Sequence, residues 1–235
     1  MTLLQVLTDT AAKVAGSAVS VPSSAPAQLS FLELIAKGGW EMYPIGLLSV
    51  LAVYFAIERY LVIKKASRID KTFMANIRDY LLSGKMDAAY TLCKNTNTPI
   101  ARLLQKGLKR MGKPIDEIES AVESEGRLEI YKLEKNLNFL GIIAGIAPMF
   151  GFLGTIMGVI KIFYNISLAD NISIGLIAGG LYEKMITSAS GLIVGIFAHI
   201  AFHYLNSMID RVSYQIETAA VEFVDLIQEP SSTNV

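Results

Sequence analysis

NLNFLGIIAGIAPMFGFLGTIMGVI, residues 136–160, is a run of 25 positions between Lys135 and Lys161 without an acid or a base. A second run of the same length, residues 185–209, lies between Lys184 and Asp210. A third, residues 42–57, has 16 uncharged positions and continues through Glu58-Arg59 into Tyr60-Leu61-Val62-Ile63. At 1.5 Å rise per residue, a helix of about 20 apolar residues crosses a ~30 Å hydrocarbon layer. The third run reaches that length if Glu58 and Arg59 stand near the headgroups. These runs predict three transmembrane helices, over residues 42–63, 136–163 and 172–207.

The rest of the composition agrees. The chain has 235 residues, 52% hydrophobic and 18% charged, with a mean hydropathy of +0.44. Soluble domains carry about 25% charged residues, so charge is scarce here. Twenty-one bases balance 21 acids, which leaves no basic excess for nucleic acid. So much apolar material excludes disorder. One cysteine, Cys93, excludes an internal disulfide and an all-cysteine zinc site.

Sixteen of the 21 Lys and Arg fall between Arg59 and Lys135. Lys64, Lys65, Arg68 and Lys71 follow the first span, and Arg127, Lys132 and Lys135 precede the second. By the positive-inside rule the N-terminus is outside (periplasmic), and the large loop and C-terminus are cytoplasmic. Cys93 then sits in a reducing compartment, as a semi-buried apolar residue.

Outward from the spans, residues 1–29 form an Ala/Ser-rich outer segment with Pro22 and Pro26. It lacks the basic start of a secretion signal, so it is expected to be retained. Residues 30–39 read as a short amphipathic interfacial helix ending at Gly38-Gly39. Trp40 and Tyr43 are placed as interfacial aromatics, and Pro44 opens the first span. Residues 64–135 form a cytoplasmic helical domain. Helices are predicted at 67–83, from Met86, from Pro99 to Met111, and from Ile115 onward. That last helix, acidic first and basic last, is expected to run straight into the second span. Residues 208–235 continue the third span as a C-terminal helix that frays at Pro230.

Within the spans, some residues do more than face lipid. Gly141/Gly145 and Gly154/Gly158 are small pairs four apart that let helix backbones approach, as do Gly151, Gly191 and Gly195. Pro148 removes one backbone donor. Thr155 shares its face, and bonding within its own turn is the plainer role for that hydroxyl. In the third span Glu183, Thr187 and Ser190 share one face, with Lys184 and Ser188 on the neighbouring stripe. Ionisable groups at membrane depth cost at least ~2.5–3.5 kcal/mol each and usually face a protein interior or water path. Three spans enclose no pore alone, so this stripe should face copies of the chain or a partner. His199 and His203, four apart, have no third ligand in sight, and no metal site is expected. No nucleophile–base pair suggests an enzyme.

These residues resemble the MotA/TolQ/ExbB proton-channel family, and its ExbB branch most, over about residues 42–225. Ala147-Pro148 through Gly151-Phe152-Leu153-Gly154-Thr155-Ile156-Met157-Gly158 is similar to the family's Ala-Pro-x-x-Gly-Leu-x-Gly-Thr-x-x-Gly second-span motif. Gly180-Leu181-Tyr182-Glu183 and Gly191-Leu192 resemble its third-span Gly-Ile-x-Glu and Gly-Leu elements. Ile57-Glu58-Arg59 with Arg68-Ile69-Asp70 resembles its exit from span one. The resemblance implies an all-α integral membrane protein with long cytoplasmic helical extensions, which forms a homo-oligomeric ring of five copies in the inner membrane. The ring would surround two ExbD-type single-span subunits, use protons as coupling ion with no cofactor, and energise a TonB-type transducer for outer-membrane uptake.

It also implies a proton pathway lined by Thr155, Glu183 and a third-span hydroxyl. Alignment puts that hydroxyl at Ser188, while helical phasing puts Thr187 beside Glu183; both stay candidates. Lys184 stands where the family usually has Ala, and Gly179 and Phe197 replace familiar prolines. A TolQ-like envelope-maintenance motor and a membrane scaffold or channel without proton coupling are the alternatives.

Overall fold

The computed structural model describes residues 39–67, 71–168 and 174–228. The expected outer segment, the interfacial helix before Gly39 and the tail from residue 229, with Pro230, lie outside them. Among the described residues every element is a helix: α1 (Met42–Ala66), α2 (Lys71–Leu82), α3 (Met86–Asn95), α4 (Pro99–Leu108), α5 (Ile115–Glu134), α6 (Leu137–Leu168) and α7 (Ile174–Gln228). Among the described residues three stretches are long and apolar enough to cross a bilayer, one in α1, one in α6 and one in α7, as the charge-free runs predict. Their large side chains stay mostly uncovered within one chain. Leu47, Tyr54, Leu61, Phe152, Phe163, Met185, Ile193 and Ile200 are all exposed, as lipid- or partner-facing residues must be.

α7 carries both the third span and the C-terminal extension as one 55-residue helix, about 80 Å long at 1.5 Å per residue. Beyond the span it packs on α4 and α5. Leu103, Leu104, Val122, Ile216 and Phe223 fill that core, each at most 1% exposed. The helix starts follow local chemistry. Thr98 accepts a hydrogen bond from the Ala101 N–H at 3.3 Å, and Pro99 takes the first turn of α4. Asp116 and Glu117 lie in the first turn of α5, and Lys132 in its last. Burial pushes the Cys93 thiol up to about 11, so it is an inert core residue at neutral pH.

α5 does not run straight into the second span. The chain breaks at Lys135, with ψ 134°, and Asn136, with φ 66°. Asn is among the few non-glycine residues that visit this left-handed region readily. Arg59, 5% exposed, pairs with Glu58 and donates to the Lys132 carbonyl at 3.4 Å. A guanidinium from α1 thus satisfies the end of α5, and α6 starts afresh at Leu137.

Near this neck Glu129 is 1% exposed. It accepts from Arg102 Nη2 at 2.5 Å and from Lys132 Nζ at 2.6 Å. Burial pushes its carboxyl up, but those two hydrogen bonds and the charges of Arg102 and Lys132 outweigh it, holding it below the usual carboxylate range. A folded value below the unfolded one means the unfolded chain binds more protons in that window, so stability rises with pH through it. The contribution is complete above about pH 4.3, the ordinary glutamate value, and is lost as pH falls through the lower folded value. The melting temperature of the detergent-solubilised chain should therefore drop below about pH 4.3, and Glu129→Gln should flatten that drop. An identical acid limb in the variant would show that other carboxylates set it.

Candidate functional site

α6 and α7 meet along a seam of small residues, running antiparallel. Gly141 lies on the Phe202 ring, 3.3 Å from where its Cβ would be. The Pro148 ring lies against Gly195. At the centre the two backbones touch. A Cβ on Gly191 would sit 2.7 Å from the Ala147 carbonyl oxygen and 2.9 Å from Gly151 Cα, and one on Gly151 would sit 3.0 Å from the Ser188 oxygen. Further along, Gly154 faces the Thr187 methyl, 3.1 Å from its would-be Cβ, and Gly158 lies under the Lys184 side-chain stem. Gly145 departs from the packing expectation: among the described residues nothing lies within 4 Å of a Cβ placed there.

Pro148 stands inside α6 without ending it. Backbone approach of this kind is what small residues provide in helix pairs that lack a hydrophobic driving force.

The hydroxyls divide by this seam. Thr187 is fully buried, its methyl turned to Gly154 and its hydroxyl donating to the Glu183 carbonyl at 3.2 Å. Ser190 likewise donates to the Ile186 carbonyl at 2.9 Å. Thr155 is half-buried and donates to the Phe152 carbonyl at 2.6 Å. Such back-bonding costs little and leaves the oxygen lone pairs available. Ser188 is half-buried and lines an open groove of about 550 Å³ with Pro148, Phe152, Ile156 and Leu192. Phasing brought Thr187 near Glu183, but in the seam; the side chain that meets open space is Ser188.

Glu183 and Lys184 do not stand alone. The Lys184 ammonium lies 3.2 Å from each Glu41 carboxylate oxygen and 3.2 Å from Glu183 Oε1. The Lys184 and Glu41 side chains are only 12% and 13% exposed, against 40% for Glu183. Glu41, in the N-cap position of α1, makes no side-chain cap for that helix, because its carboxylate is turned to Lys184. Sequence reasoning assigned Glu41 no role. Its signal was thin, an acid beside interfacial Trp40 with Lys37 four positions before it as the nearer base in the chain. Gly39, Trp40, Met157, Gly158, Tyr164 and four charged residues, Glu41, Glu183, Lys184 and Lys161, line a pocket of about 470 Å³ at this end of the spans. At the other extreme, the exposed His199 and His203 rings lie edge to face, 4.3 Å between centroids.

Two helices are thus joined by backbone contact, with Ser188 at the edge of the seam facing an apolar groove and one charge cluster at one end. Comparison with known proteins fits that arrangement. The chain is 28% identical over 180 residues to a putative biopolymer transport protein, ExbB-like 1, of Synechocystis, covering 75% of this chain and 71% of that protein. It is 26% identical over 187 residues to a putative biopolymer transport protein ExbB homolog of Methanothermobacter thermautotrophicus, covering 79% and 66%. With the Tol-Pal system protein TolQ of Haemophilus influenzae it shares 25% identity over 219 residues, 86% of this chain and 95% of that one. The family profile described as MotA/TolQ/ExbB proton channel matches residues 95–218, more than half of the chain and the whole of the α6–α7 seam. The chain belongs to the MotA/TolQ/ExbB proton channel family.

Proposed function

We propose that the chain is an ExbB-like stator subunit of an inner-membrane motor driven by the proton gradient. Copies of it, five by the family resemblance, form a ring around ExbD-type single-span subunits and energise a TonB-type transducer. Its N-terminus is periplasmic, and the α2–α5 region and the end of α7 are cytoplasmic. The observation that carries this reading is the α6–α7 seam, which turns Ser188 to an open groove on a wall of otherwise apolar side chains. A proton crossing 100 mV is worth about 2.3 kcal/mol. Harvesting it needs a dry barrier and few relays. Ser188, Thr155 and Glu183 supply the wall's donors and acceptors, and a carboxylate on the partner supplies the relay. In this reading Gly141, Pro148, Gly151, Gly154, Gly158, Gly191 and Gly195 hold the wall rigid, and Thr187 is part of that packing.

The second reading keeps the machine and changes the client to envelope maintenance. The Haemophilus TolQ similarity favours it, since it runs over nearly the full length of both chains. The test is to purify the full chain with and without a single-span, Asp-bearing partner, count copies, and follow proton entry into liposomes under an imposed gradient. Flux is expected only with the partner present. Equal flux without it, or none with it, would sink the motor reading. Whether the partner that supports flux comes from a TonB-type or a Tol-Pal-type system separates the two clients.

A further inference from the structure

The charge cluster at the start of α1 has the make-up of a cation site whose cation is already covalently attached. Two carboxylates, Glu41 and Glu183, converge on one point and place three oxygens 3.2 Å from it. Convergent carboxylate oxygens of this kind are what hard metal cations collect. The point is occupied by Lys184 Nζ, whose three N–H donors match three acceptors.

The route of the lysine is built in. Its stem lies over Gly158, where any side chain would collide with Lys184 Cγ, Cδ and Cε. Gly39 closes the cluster from above. Its φ of +76° is in the left-handed region, and a Cβ there would sit 2.8 Å from Glu183 Oε1 and 2.9 Å from Glu41 Oε2. Glu183 is the more exposed carboxylate and borders the pocket lined by Trp40, Lys161 and Tyr164.

We propose that Lys184 is a tethered resident cation that makes this mouth selective for protons, with Glu41 as the residue that holds it there. The inference rests on the reading of the chain as a proton-driven stator. The cluster of two carboxylates and one ammonium carries a net charge of −1, and Lys161 on the lining of the same pocket balances it, so no excess of positive charge bars a proton from Glu183. A sodium or calcium ion needs several oxygens at once, and those oxygens are committed to an ammonium that cannot diffuse away. A proton needs only one lone pair, and Glu183 can offer it without dismantling the cluster. Lys184 is thus a specificity-determining residue, and Glu41 a positioning residue that acts through it.

The test uses the full chain in non-ionic detergent, with terbium(III) as the probe and the single tryptophan, Trp40, as its sensitiser. Lys184→Met keeps the stem on Gly158 and removes the ammonium. It should show Trp40-sensitised terbium emission that calcium displaces at about 10⁻⁴–10⁻³ M, the range of weak oxygen-ligand sites. Wild type and Lys184→Arg, both with a tethered cation, should not, and Glu41→Gln added to Lys184→Met should abolish the signal. Reconstituted with its partner, Lys184→Met should show proton flux inhibited by millimolar calcium, with wild type unaffected. Absence of emission in Lys184→Met, equal emission in wild type, or calcium-insensitive flux through the calcium-loaded variant would each overturn the proposal. Failure of the stator reading looks different: no flux from the wild-type complex, with the emission pattern intact.

Discussion

Gly191→Val is expected to unfold the α6–α7 pair. The first atom of any side chain at this position would lie 2.7 Å from the Ala147 carbonyl oxygen, 2.9 Å from Gly151 Cα and 3.1 Å from Gly151 N. All three are backbone atoms, so no rotamer change relieves the clash and the helices must separate. Overpacking a well-packed core costs about 1–3 kcal/mol where side chains can shift. Here they cannot, and separation also forfeits the close contacts along Gly151, Gly154 and Gly158 that hold apolar helices together in lipid. A loss above about 3 kcal/mol is therefore expected, with the variant failing to form a monodisperse species in detergent. Gly145→Ala is the matched control. Open space surrounds that position, and alanine is the better helix former by about 1 kcal/mol, so its melting temperature should hold or rise. If Gly191→Val melted like Gly145→Ala, the seam would not be the contact that joins these helices.

The glycines of that seam were legible beforehand because they obey a spacing, and spacing is what a sequence displays. The three spans were legible for the same reason, as runs without charge. The break at Asn136 was less so. No glycine or proline marks it, and the capping Arg59 comes from another helix, 73 residues away. Glu41 was invisible as a functional residue, because its partner Lys184 is 143 positions distant and helical periodicity carries no information over that range. Phasing at 100° per residue did bring Thr187 to the Glu183 side of α7. What it could not show is that α6 covers that side, which leaves Ser188 at the edge. Faces follow from local sequence; which face is covered depends on the neighbouring helix.

Glu183→Gln is expected to cut gradient-driven proton flux by about 10²-fold or more, the usual contribution of a positioned proton-transfer group. Gln keeps an acceptor for the Lys184 ammonium, so the cluster with Glu41 persists, and a loss of flux reports the missing titratable oxygen and not a collapsed helix end. The melting temperature should accordingly move little, which separates this result from that of Gly191→Val. The two hydroxyl candidates are separated in the same assay. Ser188 lines the open groove with Pro148 and Phe152, so Ser188→Ala should reduce flux while leaving stability within about 0.5 kcal/mol, as for surface changes. Thr187 is fully buried with its methyl on Gly154. Thr187→Val preserves that shape and gives up a bond to the Glu183 carbonyl, so it should cost stability, about 0.5–1.5 kcal/mol, and spare flux. Wild-type flux through Glu183→Gln would remove this carboxylate from the pathway. The opposite pattern for the hydroxyls, flux lost in Thr187→Val and kept in Ser188→Ala, would mean that the seam opens during the working cycle and that protons pass between α6 and α7.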